Sequence, residues 1–108
     1  HILGEVEGKN AVIVDDLIAT GSSLIEATIA LKNAGAKKVY GAVTHPVLSG
    51  NAVEKIENSP LEKLFVTNTI PLSEEKKSSK ICVLSIAPLL AEAIKRIHNE
   101  ESVSILFD

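Results

Sequence analysis

Apolar residues along this chain arrive in two alternating kinds of run. Ala11-Val12-Ile13-Val14 is short, uninterrupted and rich in β-branched residues. Lying between Gly8 and Asp15-Asp16, it predicts a strand buried on both faces of a parallel sheet. From Ser23 onward Leu24, Ala27, Leu31 and Ala34 recur at helical spacing, and Gly35 supplies a left-handed stop. Lys38 to Thr44 then returns to strand character. The pattern repeats: Ser49 is placed to cap a short helix carrying Ala52, Val53 and Ile56, Asn58-Ser59-Pro60 ends it, and Leu64 to Thr67 reads as a strand. Ser73 to Lys80 is polar without amphipathic spacing, so a solvated loop is expected. Ile81 to Ile86 predicts another strand, and Pro88 suits the first turn of a last helix striped by Leu90, Ala93, Ile94 and Ile97. The tail through Phe107 is apolar enough to dock. Strands alternating with helices predict an α/β fold, a three-layer α/β/α arrangement around a mainly parallel sheet.

Composition narrows the function. With 108 residues, 45% of them apolar, the chain can bury one core, so a single domain over residues 1–108 is expected. It starts at His1, contains no Met, and its opening Ile2-Leu3-Gly4 reads as the tail of an earlier element, which suggests part of a larger protein. No apolar run reaches the roughly 20 residues of a membrane span, and no secretory signal pattern is visible, so the expected location is the cytoplasm. Cys82 is the only cysteine and sits in an apolar run, where a buried, unreactive thiol is expected. A net charge of −3, scattered basic residues and only Tyr40, Phe65 and Phe107 as aromatics argue against nucleic acid as a partner.

The candidate chemistry follows the first strand. In open α/β sheets ligands bind beyond the carboxyl ends of the strands, where Asp15-Asp16-Leu17-Ile18-Ala19-Thr20-Gly21-Ser22-Ser23 is expected as a loop. Thr20 to Ser23 are small and lead into a helix whose first N–H groups lack partners, a setting for an anion such as phosphate. Thr20, Ser22 and Ser23 add hydroxyl donors, and Gly21 permits close approach or a positive φ. The carboxylates of Asp15 and Asp16 can accept hydrogen bonds from vicinal hydroxyls. A ligand with a phosphate at one end and a diol at the other, such as ribose 5-phosphate, would satisfy both halves. The plainer reading is a solvated strand end followed by a helix capped by Ser22 or Ser23. The loop matches neither the Walker motif, which needs a Lys after its second Gly, nor the three-glycine dinucleotide fingerprint. No basic residue lies between Asp15 and Lys32, so the cations needed for phosphoryl chemistry must come from elsewhere.

Val14-Asp15-Asp16 followed by Ala19-Thr20-Gly21-Ser22-Ser23 resembles the phosphoribosyl-diphosphate motif of type I phosphoribosyltransferases. A narrower resemblance, to the ribose-phosphate pyrophosphokinases, rests on Thr44-His45-Pro46-Val47-Leu48-Ser49-Gly50, Val66-Thr67-Asn68-Thr69-Ile70-Pro71, Leu89 to Arg96 and Glu101-Ser102-Val103-Ser104. It implies a phosphoribosyltransferase-like fold and the C-terminal half of a two-domain, Mg²⁺-dependent enzyme. That enzyme passes a diphosphoryl group from ATP to ribose 5-phosphate, giving phosphoribosyl diphosphate and AMP. Carried over, Asp15 and Asp16 would bind ribose hydroxyls and Ala19 to Ser23 would wrap the 5-phosphate. The catalytic cations, metal ligands and most of the adenine pocket would lie upstream of His1, leaving no catalytic residue within this chain. The resemblance also implies a homo-oligomer, dimer-based and up to a hexamer, and a regulatory anion or nucleotide site at subunit contacts involving Ser49, Gly50, Ser102 and Phe107. The loop departs from the family's usual Asp-Thr-small-Gly-Thr in carrying Ala19, Ser22 and Ser23 at the first, fourth and fifth places. A phosphoribosyltransferase that consumes phosphoribosyl diphosphate and a non-catalytic regulatory paralogue are the alternatives.

Beyond the loop, His45 at a strand end is a candidate general base or metal ligand, although a lone His is more often structural. Ser49-Gly50 could receive a second anion or simply cap its helix. His98 reads as a solvated group near a helix end.

Overall fold

The computed structural model describes residues 5–107, apart from the side chains of Ile105 and Phe107; His1 to Gly4 and Asp108 lie outside the described residues. Four strands form one sheet in the order β1-β2-β3-β4: β1 Asn10–Ile18, β2 Lys38–Pro46, β3 Lys63–Thr67 and β4 Ile81–Leu84. Every neighbouring pair is parallel, so each connection must cross over, and helices α1 (Ser22–Asn33) and α2 (Ala52–Glu57) provide the first two. A 3-10 turn at Glu74–Lys76 interrupts the polar segment expected as loop, and α3 (Ala87–His98) follows β4 with Pro88 in its first turn.

The α/β fold with a parallel sheet is the one read from the sequence. One core cluster joins Leu24 of α1, Ala52 and Ile56 of α2 and Val39, Val43, Leu64, Val66 and Ile81 of the strands. At its centre a Cβ on Gly41 would stand 2.9 Å from Leu64 Cδ1 and 3.4 Å from Leu24 Cδ1, so glycine lets α1 press onto the sheet. Thr28 is fully buried in this core; its hydroxyl donates to the Leu24 carbonyl one turn back (2.7 Å), which satisfies it without a tertiary partner.

Several expectations need correcting. The strand predicted to be buried on both faces is covered on one: Val12 and Val14 are 61% and 77% exposed, because α1 and α2 lie over the other face. The same open face carries Tyr40, Phe65 and Cys82, and the thiol expected to be buried is therefore half-buried. The two aromatic rings lean together at 6.3 Å between centroids. On α3 the predicted stripe exists, but Leu90, Ile94 and Ile97 are all exposed. The α1 stripe is Leu24 and Thr28 with half-buried Leu31, while Ala34 is exposed beyond the helix end. That end is the Schellman closure predicted from Gly35: Ala36 N–H donates to Leu31 O, Gly35 N–H to Lys32 O, both 3.0 Å, with Gly35 at φ +96°. The fourth strand stops at Leu84, and Asn68 explains why. Its side-chain Oδ1 accepts the Ile86 N–H at 3.0 Å, turning the chain into α3.

Candidate functional site

The segment read as one loop from Asp15 to Ser23 is mostly not a loop. β1 continues through Asp15, Asp16, Leu17 and Ile18, because β2 runs on beside it to Pro46 and pairs Leu17 with His45 and Ile18 with Pro46. Two adjacent carboxylates suggested a strand end, but the sheet register and burial of Ile18 (4% exposed) outweigh that local signal. Only Ala19, Thr20 and Gly21 turn the chain, and α1 starts at Ser22. Alternation along a strand sends neighbouring side chains to opposite faces. Asp15 accordingly lines a cleft of about 200 Å³ together with Ala19 to Ser23, whereas Asp16 does not line it. The Asp16 N–H does donate to Asp15 Oδ1 (2.8 Å), which holds the Asp15 carboxylate in place.

The helix start has the features an anion needs. Its N-cap is Gly21, at φ +85° and ψ −3°, and no side chain caps the first turn. Neither serine is the cap that the plainer reading proposed. Thr20 Oγ1 comes only to 3.5 Å of the Ser22 N–H, at the limit of a hydrogen bond, so the first turn keeps unpartnered donors beside the cleft. No acidic residue occupies that first turn to compete with an anion. Ser22, which stands where the resembled motif has a glycine, lies inside the helix; Leu48 and Glu100 are the non-glycine residues with positive φ among the described residues. A serine therefore fits there without backbone strain.

The turn is fastened from below by the segment after β2. Leu48 N–H donates to Ile18 O (3.1 Å) and Ser49 N–H to Ala19 O (2.9 Å), which brings the Thr44 to Gly50 stretch against the loop. Ser49 does not cap α2, as it was expected to. The N-cap is Asn51, also without a side-chain bond, and Ser49 offers its carbonyl to Ala52 N–H at 3.2 Å. The α2 face nearest the loop carries Lys55, whose ammonium donates to Ser22 Oγ at 3.3 Å. Nothing in the local sequence marked Lys55, since it stands far along the chain from the loop and only the crossover through β2 unites them.

Other candidates lie apart. His45 Nδ1 is 2.9 Å from Thr69 Oγ1, a partner from the end of β3, and His45 does not line the cleft. Ser102 Oγ pairs with Ser104 Oγ at 2.9 Å, and its carbonyl accepts from Arg96 at 3.2 Å. Among the described residues no hydrogen bond joins Ser102 to Ser49 or Gly50, and the side chain of Phe107 lies outside them. Gly50 adopts a positive φ of 61° with open space around it. His98 is exposed at the end of α3, as read. No group of three or more His, Cys, Asp or Glu converges on a metal-sized site among the described residues.

The chain resembles known proteins over its whole length. It is 53% identical to a ribose-phosphate pyrophosphokinase of Oceanobacillus iheyensis and 55% identical to one of Halalkalibacterium halodurans, in each case over all 108 residues but only 34% of the relative. A 53% identical ribose-phosphate pyrophosphokinase from Staphylococcus aureus is matched to the same extent. The crystal structure of phosphoribosylpyrophosphate synthetase from Mycobacterium smegmatis superposes on 91% of this chain with a TM-score of 0.84 and 40% identity, using 33% of that chain. The chain thus spans about a third of the length of these relatives, less than the half expected. With residues 1–108 matched by the family model for the phosphoribosyl synthetase-associated domain, the chain belongs to that family, the family of the ribose-phosphate pyrophosphokinases.

Proposed function

We propose that this chain is the ribose 5-phosphate-binding, C-terminal part of a ribose-phosphate diphosphokinase. The observation that carries the reading is the cleft at the end of β1, where a carboxylate, Asp15, and an uncapped helix start, Gly21 to Ser23, face one small space. Its volume of about 200 Å³ is below the roughly 300–1,000 Å³ typical of pockets for larger organic ligands, as suits a compact sugar phosphate. The 5-phosphate sits over the N–H groups of Gly21, Ser22 and Ser23, with the hydroxyls of Thr20, Ser22 and Ser23 around it. Asp15 accepts from the ribose hydroxyls. Asp16 contributes by fixing Asp15 through its N–H rather than by touching the sugar. Ala19, whose carbonyl is tied to Ser49, holds the turn.

In the complete reaction the anomeric hydroxyl of ribose 5-phosphate takes the diphosphoryl group of ATP. The bond between the α- and β-phosphoryl groups breaks, AMP leaves, and the hydroxyl proton is released. This chain's share is to fix the sugar so that the hydroxyl is presented to ATP, an orientation effect that can contribute several kcal/mol to such a transfer. ATP and its Mg²⁺ are bound by the rest of the protein. Mg²⁺ commonly takes only one or two carboxylates and draws its other ligands from phosphates and water. The protein works in the cytoplasm as a homo-oligomer. In that assembly Ser49 and Gly50 of one protomer meet Ser102 and Phe107 of another around a regulatory anion.

Assay of the full-length protein for AMP release tests this reading: ATP with ribose 5-phosphate is expected to give stoichiometric AMP and phosphoribosyl diphosphate. A protein that binds both substrates yet releases no AMP would instead be the non-catalytic paralogue.

A further inference from the structure

The cleft holds an asymmetry of charge that the loop sequence alone lacks. Asp15 supplies a negative charge at the strand side, while no basic residue lies between Asp15 and Lys32. An ester phosphate is a dianion near neutral pH, and N–H groups alone leave much of that charge unpaired. A cation stands beside the cleft on α2. Ala52, fully buried, packs beneath Gly21, where a Cβ would come within 3.8 Å of the Ala52 Cβ. Lys55 follows three residues later, on the same helical face, and so is aimed at the same turn. Its ammonium reaches Ser22 Oγ at 3.3 Å. The Ser49 and Leu48 N–H bonds to Ala19 and Ile18 clamp the base of α2 to the turn, so the position of Lys55 relative to the loop is set by backbone. Among the described residues Lys55 belongs to neither of the ion pairs, which are Lys77–Glu74 and Arg96–Glu92. No carboxylate of the described residues forms an ion pair with it.

We infer that Lys55 is the cation of the phosphate end of this site: it pairs with the 5-phosphate through the rim marked by Ser22 and makes the site select phosphorylated over free ribose. The inference rests on the proposed sugar-phosphate function. Asp15 lines the cleft and Lys55, which is not one of its lining residues, stands outside it against Ser22, so the opposite charges at the two ends favour one orientation of a sugar phosphate. Lys55 here binds substrate and has no part in proton transfer.

Calorimetry on the full-length protein tests it, with ribose 5-phosphate, free ribose and inorganic phosphate as probes against the wild type, Lys55→Ala, Lys55→Gln and Lys55→Arg. Either neutral variant is expected to bind ribose 5-phosphate about tenfold more weakly, the scale of one charge-assisted hydrogen bond, and Lys55→Arg to recover most of the loss. Inorganic phosphate should weaken in parallel, free ribose should not change, and the salt dependence of ribose 5-phosphate binding should flatten in the neutral variants. Neutral variants that bind ribose 5-phosphate as tightly as the wild type, with the same salt dependence, would overturn the role of Lys55 and leave the sugar-phosphate site standing. Equal losses for ribose and ribose 5-phosphate, unrescued by arginine, would also overturn it, because they would mark a structural role. A wild type that binds no ribose 5-phosphate would overturn both readings.

Discussion

Asp15 and Asp16 are equivalent in the sequence and unequal in the structure. Both are carboxylates within one strand, but alternation turns only Asp15 into the cleft. Asp15→Asn is therefore expected to weaken ribose 5-phosphate binding about 10- to 100-fold, the worth of a charge-assisted hydrogen bond, whereas Asp16→Asn should stay within about threefold, as titration calorimetry would measure. Equal losses in the two variants would contradict this division. Gly21 is constrained by conformation, not by space: its φ of +85° disfavours any side chain, although a Cβ would meet only ordinary contacts at 3.8 Å. Gly21→Val should move the turn and weaken the same ligand at least about tenfold, with only about 1–3 kcal/mol lost in stability. The residue types of the site could be read from the sequence because small residues before a helix have a local meaning. Lys55 could not, because its place beside Ser22 depends on how β2 and α2 fold back.

At the scale of elements, chemistry at a strand end misled the sequence reading while turn chemistry guided it well. Paired carboxylates looked like the end of β1, but parallel pairing with β2 as far as Pro46 carries the strand four residues further to Ile18. Ser49 looked like a cap, yet its backbone is recruited to the Ala19 carbonyl and α2 begins at Ala52 behind Asn51. Gly35 was legible because only its left-handed conformation closes α1. Gly35→Ala is expected to cost about 1–3 kcal/mol in denaturant unfolding, since it adds a Cβ at φ +96° and within 3.0 Å of Glu7 Cγ. An unchanged midpoint would show that the turn relaxes at no cost. The burial of Thr28 was not legible either, since a threonine on a helix face carries no sign that its hydroxyl will be satisfied by its own helix.

On the scale of the whole molecule, the exposed apolar surface sets the protein's context. Val12 and Val14 on the open sheet face, with Leu90, Ile94 and Ile97 on α3, are too many large apolar groups to face water singly. Because the relatives are about three times as long, with this chain covering 34% of them, the rest of a protein of that length is expected to cover these faces. The 108-residue chain by itself should bind the dye ANS strongly and aggregate in sedimentation, and the full-length protein should bind no dye and sediment as one defined homo-oligomer. A dye-free, monomeric 108-residue chain would show that the open faces cover each other in solution. The central claim concerns one ligand in one cleft, and the crystal structure of the full-length protein soaked with ribose 5-phosphate tests it most directly. The phosphate is expected over the N–H groups of Gly21, Ser22 and Ser23, with the ribose hydroxyls on Asp15; a sugar phosphate bound elsewhere, with this cleft left to water, would contradict it.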